Sequence, residues 1–168
     1  MSERAREALA SALASRGALA GASVLDLFAG TGALSFEAIS RGAARALLVE
    51  RDRAVARTIG ESAKQLGIAA EVRVLSLDLL ADPESVAERV AESAEAPFSL
   101  IFVAPPYRDV PRISPLVTAV VRCGALTEGA WVVLEHATRT PLEAPEGLAE
   151  AARYRYGDTS ILLAQVAP

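Results

Sequence analysis

The sequence predicts an α/β protein: a seven-stranded, mostly parallel, doubly wound sheet of the Rossmann-like kind, with its last strand antiparallel. Three observations carry this. Short apolar runs alternate with helical stretches five times along the chain. The first such run enters a Gly-Thr-Gly turn that opens a helix. The C-terminal part ends in two strand-like runs joined by Gly157-Asp158, a hairpin signal. Alternation calls for parallel strands with right-handed crossovers and helices on both faces, and the hairpin puts one antiparallel strand into that sheet.

Each element has its own reason. Residues 3–15 read as a helix because Ala5, Leu9, Ala12 and Leu13 recur at helical spacing, and Arg16-Gly17 ends it. Ser23 to Phe28 is a short apolar strand. Ala33 to Ser40 is helical and stops at Arg41-Gly42. Arg45 to Glu50 is a second strand ending in an acid. Asp52 caps a helix that runs to about Leu66 and closes on Gly67. Glu71 to Ser76 is the third strand. Asp82-Pro83-Glu84 combines an N-cap with proline at the first helical position. Phe98 to Val103 is the fourth strand, Pro111 to Cys123 a helix, and Ala130 to Glu135 the fifth strand. Ala151 to Tyr156 and Ser160 to Val166 complete the hairpin. No repeat, low-complexity tract or linker interrupts the chain, and residues 1–168 read as one domain.

Composition narrows the classes. Hydrophobic residues make up 52% of the 168, which argues for a packed core over disorder. No apolar run is long enough to span a membrane, and Met1-Ser2-Glu3-Arg4 does not open a signal peptide, so the expected location is cytoplasmic. Cys123 is the only cysteine, which excludes an internal disulfide and any multi-cysteine metal site. No metal is expected. A net charge of −4 and a pI near 5.1 do not announce a nucleic-acid binder.

The strongest local signal is Val24-Leu25-Asp26-Leu27-Phe28-Ala29-Gly30-Thr31-Gly32. In open α/β sheets ligands bind beyond the C-terminal strand ends, at the point where strand order reverses. Gly30 and Gly32 allow the backbone to approach a ligand where a Cβ would clash. Asp26 is an uncompensated carboxylate in a strand end, and a cationic ligand would give it a partner. The dinucleotide fingerprint asks for a third glycine where this chain has Ser35, and a pyrophosphate would be repelled by Asp26. Both points favour S-adenosylmethionine over NAD. Glu50, about 20 residues past Gly30, is placed to accept from ribose hydroxyls, or is a solvated strand-end charge. Asp78 is either an acceptor for an adenine amino group, beside the Leu79 N–H, or a turn residue.

"IFVAPPYRD", 101–109, ends the fourth strand on two prolines and an aromatic. Together with "REAL" at 6–9, "VLDLFAGTGALSFEAISRGA" at 24–43, "LVERD" at 48–52 and "RYGDTSILL" at 155–163, it makes the chain resemble the class I methyltransferases. Among these it is most similar to the small bacterial enzymes that methylate the exocyclic N2 of a guanine in 16S ribosomal RNA. The resemblance implies cofactor contacts from Asp26, Phe28, Gly30, Gly32, Glu50, Arg51, Asp78 and Leu79. It implies a substrate turn at Ala104, Pro105, Pro106 and Tyr107, and ribosomal RNA or the small-subunit particle as partner. The family carries strands ahead of the "REAL" helix that help to hold RNA; this sequence opens almost at that helix, so that extension is expected to be absent or trimmed.

The family has Asp or Asn where this chain has Ala104. There the side chain and the carbonyl of the next residue accept the two N–H bonds of the target amine, and the aromatic stacks on the base. Ala104 offers no such acceptor. A hydrogen bond to a charged group is worth roughly 1.5–3 kcal/mol, so its loss predicts an activity about 10–100-fold lower. A cofactor-binding protein without catalysis is therefore the rival reading. Tyr107 stacks on substrate or packs on the core. Arg108 and Arg112 meet phosphate or are solvated. His136 lacks a serine nucleophile motif and reads as non-catalytic. Trp131 and Cys123 read as core.

Overall fold

A strand buried on both faces needs a largely apolar run, and the first, second and fourth runs provide one. The computed structural model describes residues 1–168. It has seven strands: β1 (Ser23–Leu27), β2 (Arg45–Glu50), β3 (Val72–Ser76), β4 (Phe98–Val103), β5 (Leu126–Ala137), β6 (Leu148–Tyr156) and β7 (Thr159–Val166). They form one sheet in the order β3-β2-β1-β4-β5-β7-β6. β7 runs antiparallel to both β5 and β6, and every other pairing is parallel. The predicted seven-stranded sheet with an antiparallel last strand is the sheet observed.

Five helices cover the faces: α1 (Glu3–Ser15), α2 (Ala33–Ser40), α3 (Arg53–Gln65), α4 (Pro83–Ala91) and α5 (Ile113–Arg122). Alternation along the strands sorts the core. Leu25, Leu27, Ile101, Val103 and Leu134 pack with Val86 and Val90 of α4 and with Ile113 and Leu116 of α5. Val24, Leu48, Leu100, Phe102 and Val133 pack on the opposite face with Leu9 and Leu13 of α1, Ala38 of α2 and Ile59 of α3. Three helices begin on a side-chain cap. Ser2, Asp52 and Asp82 accept from the backbone N–H groups of Ala5, of Ala54 and Val55, and of Ser85. α2 begins on Gly32 and has no side-chain cap.

Four details differ from expectation. β1 ends at Leu27, because Phe28 turns to a φ of 66°. Pro111 and Arg112, read as the start of the fifth helix, close a 3-10 turn, Tyr107–Arg112, and α5 begins at Ile113. Pro111 explains this: it has no N–H to donate, and it disfavours helical geometry at Val110. β5 starts at Leu126, with an irregular register between its pairings to Phe98 and Leu100 around Gly129, which has positive φ. β6 starts at Leu148 and shifts register between Glu150 and Ala152, so its first residues do not alternate. Trp131 is half-buried beneath the Arg16 guanidinium, 5.8 Å from its ring centre, and Cys123 is half-buried at the end of α5.

Candidate active site

β1, β2 and β3 step outward across one half of the sheet, and β4 returns to the other side of β1. The strand order therefore reverses between β1 and β4, and a crevice opens beyond their C-terminal ends. An open cavity of about 490 Å³ lies there. Phe28, Gly30, Glu50, Arg51, Asp78, Leu79, Ala104, Pro105 and Pro106 all line it, joined by Asp52, Leu77, Leu80, Arg108 and Asp109. Residues from the turns after β1, β2, β3 and β4, separated by up to about 80 positions in sequence, converge on one space of ligand size.

The turn after β1 is held tightly. The Gly30 N–H donates to Glu50 Oε2 at 3.0 Å, and the Asp52 N–H donates to Oε1 at 3.0 Å. Glu50 thus ties the end of β2 to the turn after β1 and to the start of α3. Gly32 closes the turn through its N–H to the Ala29 carbonyl at 2.8 Å. A Cβ placed on Gly30 would meet no protein atom within 4 Å, so the backbone there faces open space. Phe28, held at positive φ at a cost of roughly 1–2 kcal/mol, forms an apolar wall.

Three predicted residues do not line the cavity. Gly32 lies behind the turn, where a Cβ would stand 3.1 Å from Leu48 and Phe36. Asp26 is buried beneath the turn with a partner of its own: the Ser35 hydroxyl donates to Oδ2 at 2.6 Å. Burial raises its pKa to about 7, against the lowering effect of the Ser35 hydroxyl and backbone N–H. The position that breaks the dinucleotide fingerprint is thus the one that serves Asp26. Tyr107 stands outside the cavity and is 39% exposed, so it is not packed in the core. Its hydroxyl lies 2.6 Å from Thr159 Oγ1 and 3.5 Å from Glu135 Oε1.

Asp78 makes a turn, its Oδ1 accepting from the Leu80 N–H at 3.1 Å, and its carboxylate still borders the cavity. Arg108 and Arg112 bracket Asp109 at 3.8 and 3.7 Å, and only Arg108 reaches the cavity. His136 is buried with Nδ1 at 3.0 Å from the carbonyl oxygens of Ala137 and Thr140, away from this crevice. Ser35 as the partner of Asp26, and Glu135 and Thr159 beside Tyr107, carry no local motif that marks them. The one available signal was that Glu135 ends an apolar run next to the substrate strand. No group of three or more His, Cys, Asp and Glu side chains is arranged to hold a metal ion, and no helix is long and apolar enough to cross a membrane.

Residues 1–165 match the protein family described as conserved hypothetical protein 95. The chain belongs to that family. Its relatives give the family its chemistry. The chain is 32% identical over 145 residues to YlbH of Bacillus subtilis, provisionally named an rRNA methyltransferase, covering 83% of this chain and 73% of YlbH. It is 38% identical over 106 residues to ribosomal RNA small subunit methyltransferase D of Escherichia coli K12, covering 63% of this chain and 48% of that protein. A solved Escherichia coli structure provisionally named methyltransferase yhhF superposes with a TM-score of 0.82 at 29% identity, over 99% of this chain and 87% of that one. By family and fold the chain is a methyltransferase, and methyltransferases of this fold draw their methyl group from S-adenosylmethionine. The cavity fits that molecule: a bare glycine backbone, an ionisable acid at the end of β2, apolar walls from Phe28, Leu77 and Leu79, and a carboxylate after β3.

Proposed function

We propose that this methyltransferase acts on the exocyclic amino group of a guanine in ribosomal RNA, presented in the small-subunit particle. The observation that supports this most is the placement of the Ala104–Tyr107 turn. Ala104, Pro105 and Pro106 line the same cavity as Gly30, and Tyr107 stands just outside it, exposed and free to stack. The relatives named for ribosomal RNA methylation support the substrate class.

S-adenosylmethionine, when bound, supplies an electrophilic methyl group. The rest falls to the chain. Gly30 gives close backbone approach. Glu50 spends one lone pair on each of its two backbone donors, and an ionised carboxylate has about four, so it retains acceptor capacity for two ribose hydroxyls. Asp78 and the Leu79 N–H frame the adenine. Phe28 and Arg51 close the sides, while Asp26 and Gly32 support the turn from beneath. The Pro105 carbonyl accepts one N–H of the target amine, and Pro105-Pro106 fix its direction because both φ angles are locked. Orientation is the main requirement, since the amine's lone pair is delocalised into the base and must be aligned with the methyl carbon.

Tritiated methyl transfer to undermethylated small-subunit particles tests the reading. Incorporation into the RNA is expected. Cofactor binding without transfer would favour a non-catalytic binder, the alternative that Ala104 keeps open. RNA contact should be local, because the chain is acidic overall. Arg108 is 83% exposed at the cavity mouth, so Arg108→Ala should lower the log–log salt slope of particle binding by about 1. An unchanged slope would remove Arg108 from the contact.

A further inference from the structure

Position 104 has no side-chain acceptor, but the neighbouring strand brings one beside it. In the β4–β5 ladder Phe102 pairs with Val133 and Val103 with Leu134, so Ala104 and Glu135 are the next pair in line. The Ala104 N–H still donates to the Leu27 carbonyl at 3.4 Å, so strand geometry persists that far. Phe102 and Val133 both face α1 and α2. Alternation returns Ala104 and Glu135 to that same side, with backbones about 4.8 Å apart. A glutamate from the adjacent strand, longer than aspartate by one methylene, spans that separation.

The Glu135 side chain is 10% exposed. Its Oε1 lies 3.5 Å from the Tyr107 hydroxyl and 3.6 Å from the Met1 amino group. Oε2 makes no hydrogen bond within the chain. A mostly buried carboxylate beside Tyr107, with one oxygen free of partners in the chain, offers the acceptor that Ala104 lacks.

We infer that Glu135 supplies the side-chain acceptor for the target amine that Ala104 cannot. This rests on the amino-methylation reading above. Oε2 accepts one amine N–H and the Pro105 carbonyl the other. As the nitrogen lone pair bonds to the methyl carbon, the carbon–sulfur pair leaves with sulfur. The nitrogen, now cationic, releases that proton to Oε2, which passes it to water. No further reactant is needed.

The test is a cycle of four proteins: the parent chain, Glu135→Ala, Ala104→Asp and the double variant. Methyl transfer to undermethylated small-subunit particles is read together with S-adenosylhomocysteine affinity by calorimetry. Glu135→Ala should lower kcat about 10–100-fold in the parent chain, the worth of one charge-assisted hydrogen bond. It should cost less than about threefold in the Ala104→Asp background, because the acceptor is then supplied twice over. S-adenosylhomocysteine affinity should stay within about twofold throughout. Equal losses in both backgrounds, or no loss in the parent, would overturn the inference. Tyr107→Phe separates a positioning role, since a loss as large as that of Glu135→Ala would mean that Glu135 acts only through the tyrosine hydroxyl. If Glu135→Ala does not fold, Glu135→Gln enters the same cycle. A readout independent of turnover is NMR titration of GMP and IMP, which differ only in the amino group, with S-adenosylhomocysteine present. The parent should prefer GMP and Glu135→Ala should lose the preference; equal preference in both would count against the contact. Inertness of all four proteins despite cofactor binding would instead overturn amino-methylation itself.

Discussion

Replacing Asp26 with Asn is expected to remove most of the pH dependence of stability between about pH 4 and pH 7. Asp26 is buried under the glycine turn, and its folded pKa is raised from 3.8 to about 7, chiefly by desolvation. Between those values the folded chain keeps a proton that the unfolded chain has released. Stability from this group is therefore fully present below 3.8 and is lost as pH rises through about 7. At 1.36 kcal/mol per pKa unit the span is on the order of 4 kcal/mol. Asn keeps an oxygen for the Ser35 hydroxyl and does not ionise. Urea unfolding at about pH 4.5 and pH 8 should show the parent losing several kcal/mol and Asp26→Asn losing much less. Parallel curves for the two proteins would show that Asp26 ionises without cost where it sits.

Glu50→Ala should weaken S-adenosylhomocysteine binding by about 1.5–3 kcal/mol, or roughly 10–150-fold, if two charge-assisted hydrogen bonds to the ribose are lost. The same side chain also accepts from the Gly30 and Asp52 N–H groups, so the variant releases the turn as well. Glu50→Gln separates the two effects. It keeps one neutral acceptor and most of the shape, and should fall between the parent and Glu50→Ala in calorimetric affinity. NAD should bind none of the three proteins detectably. Unchanged affinity in Glu50→Ala, or tight NAD binding to the parent, would remove the assigned role of Glu50.

What could be read in advance followed the physics of local pattern. Strands buried on both faces need unbroken apolar runs, helices need a 3.6-residue period, and caps need Asp or Ser, so the order and number of elements were legible. The cavity-lining residues Gly30, Glu50, Asp78 and Ala104 were legible for a related reason: all sit at strand ends, where an α/β sheet places its ligands. What escaped was set by neighbours far along the chain. Nothing local announces that Phe28 takes a left-handed turn. Ser35 looked like a fingerprint lacking its glycine, while in the fold it is the partner of Asp26. Glu135 and Tyr107 are 28 positions apart, and only the register of β4 on β5 makes them neighbours. The early start of β5 was hidden by Thr127-Glu128-Gly129, which reads as a loop and is an irregular strand.

The most direct measurement of the central claim is the identity of the methylated nucleoside. Undermethylated small-subunit particles would be incubated with the parent chain and S-adenosylmethionine, and the RNA digested to nucleosides for mass spectrometry. One new product is expected, guanosine methylated on its 2-amino nitrogen. A methyl group on a ring nitrogen, on carbon or on a ribose hydroxyl, or no methylated nucleoside from a protein that binds S-adenosylhomocysteine, would contradict it.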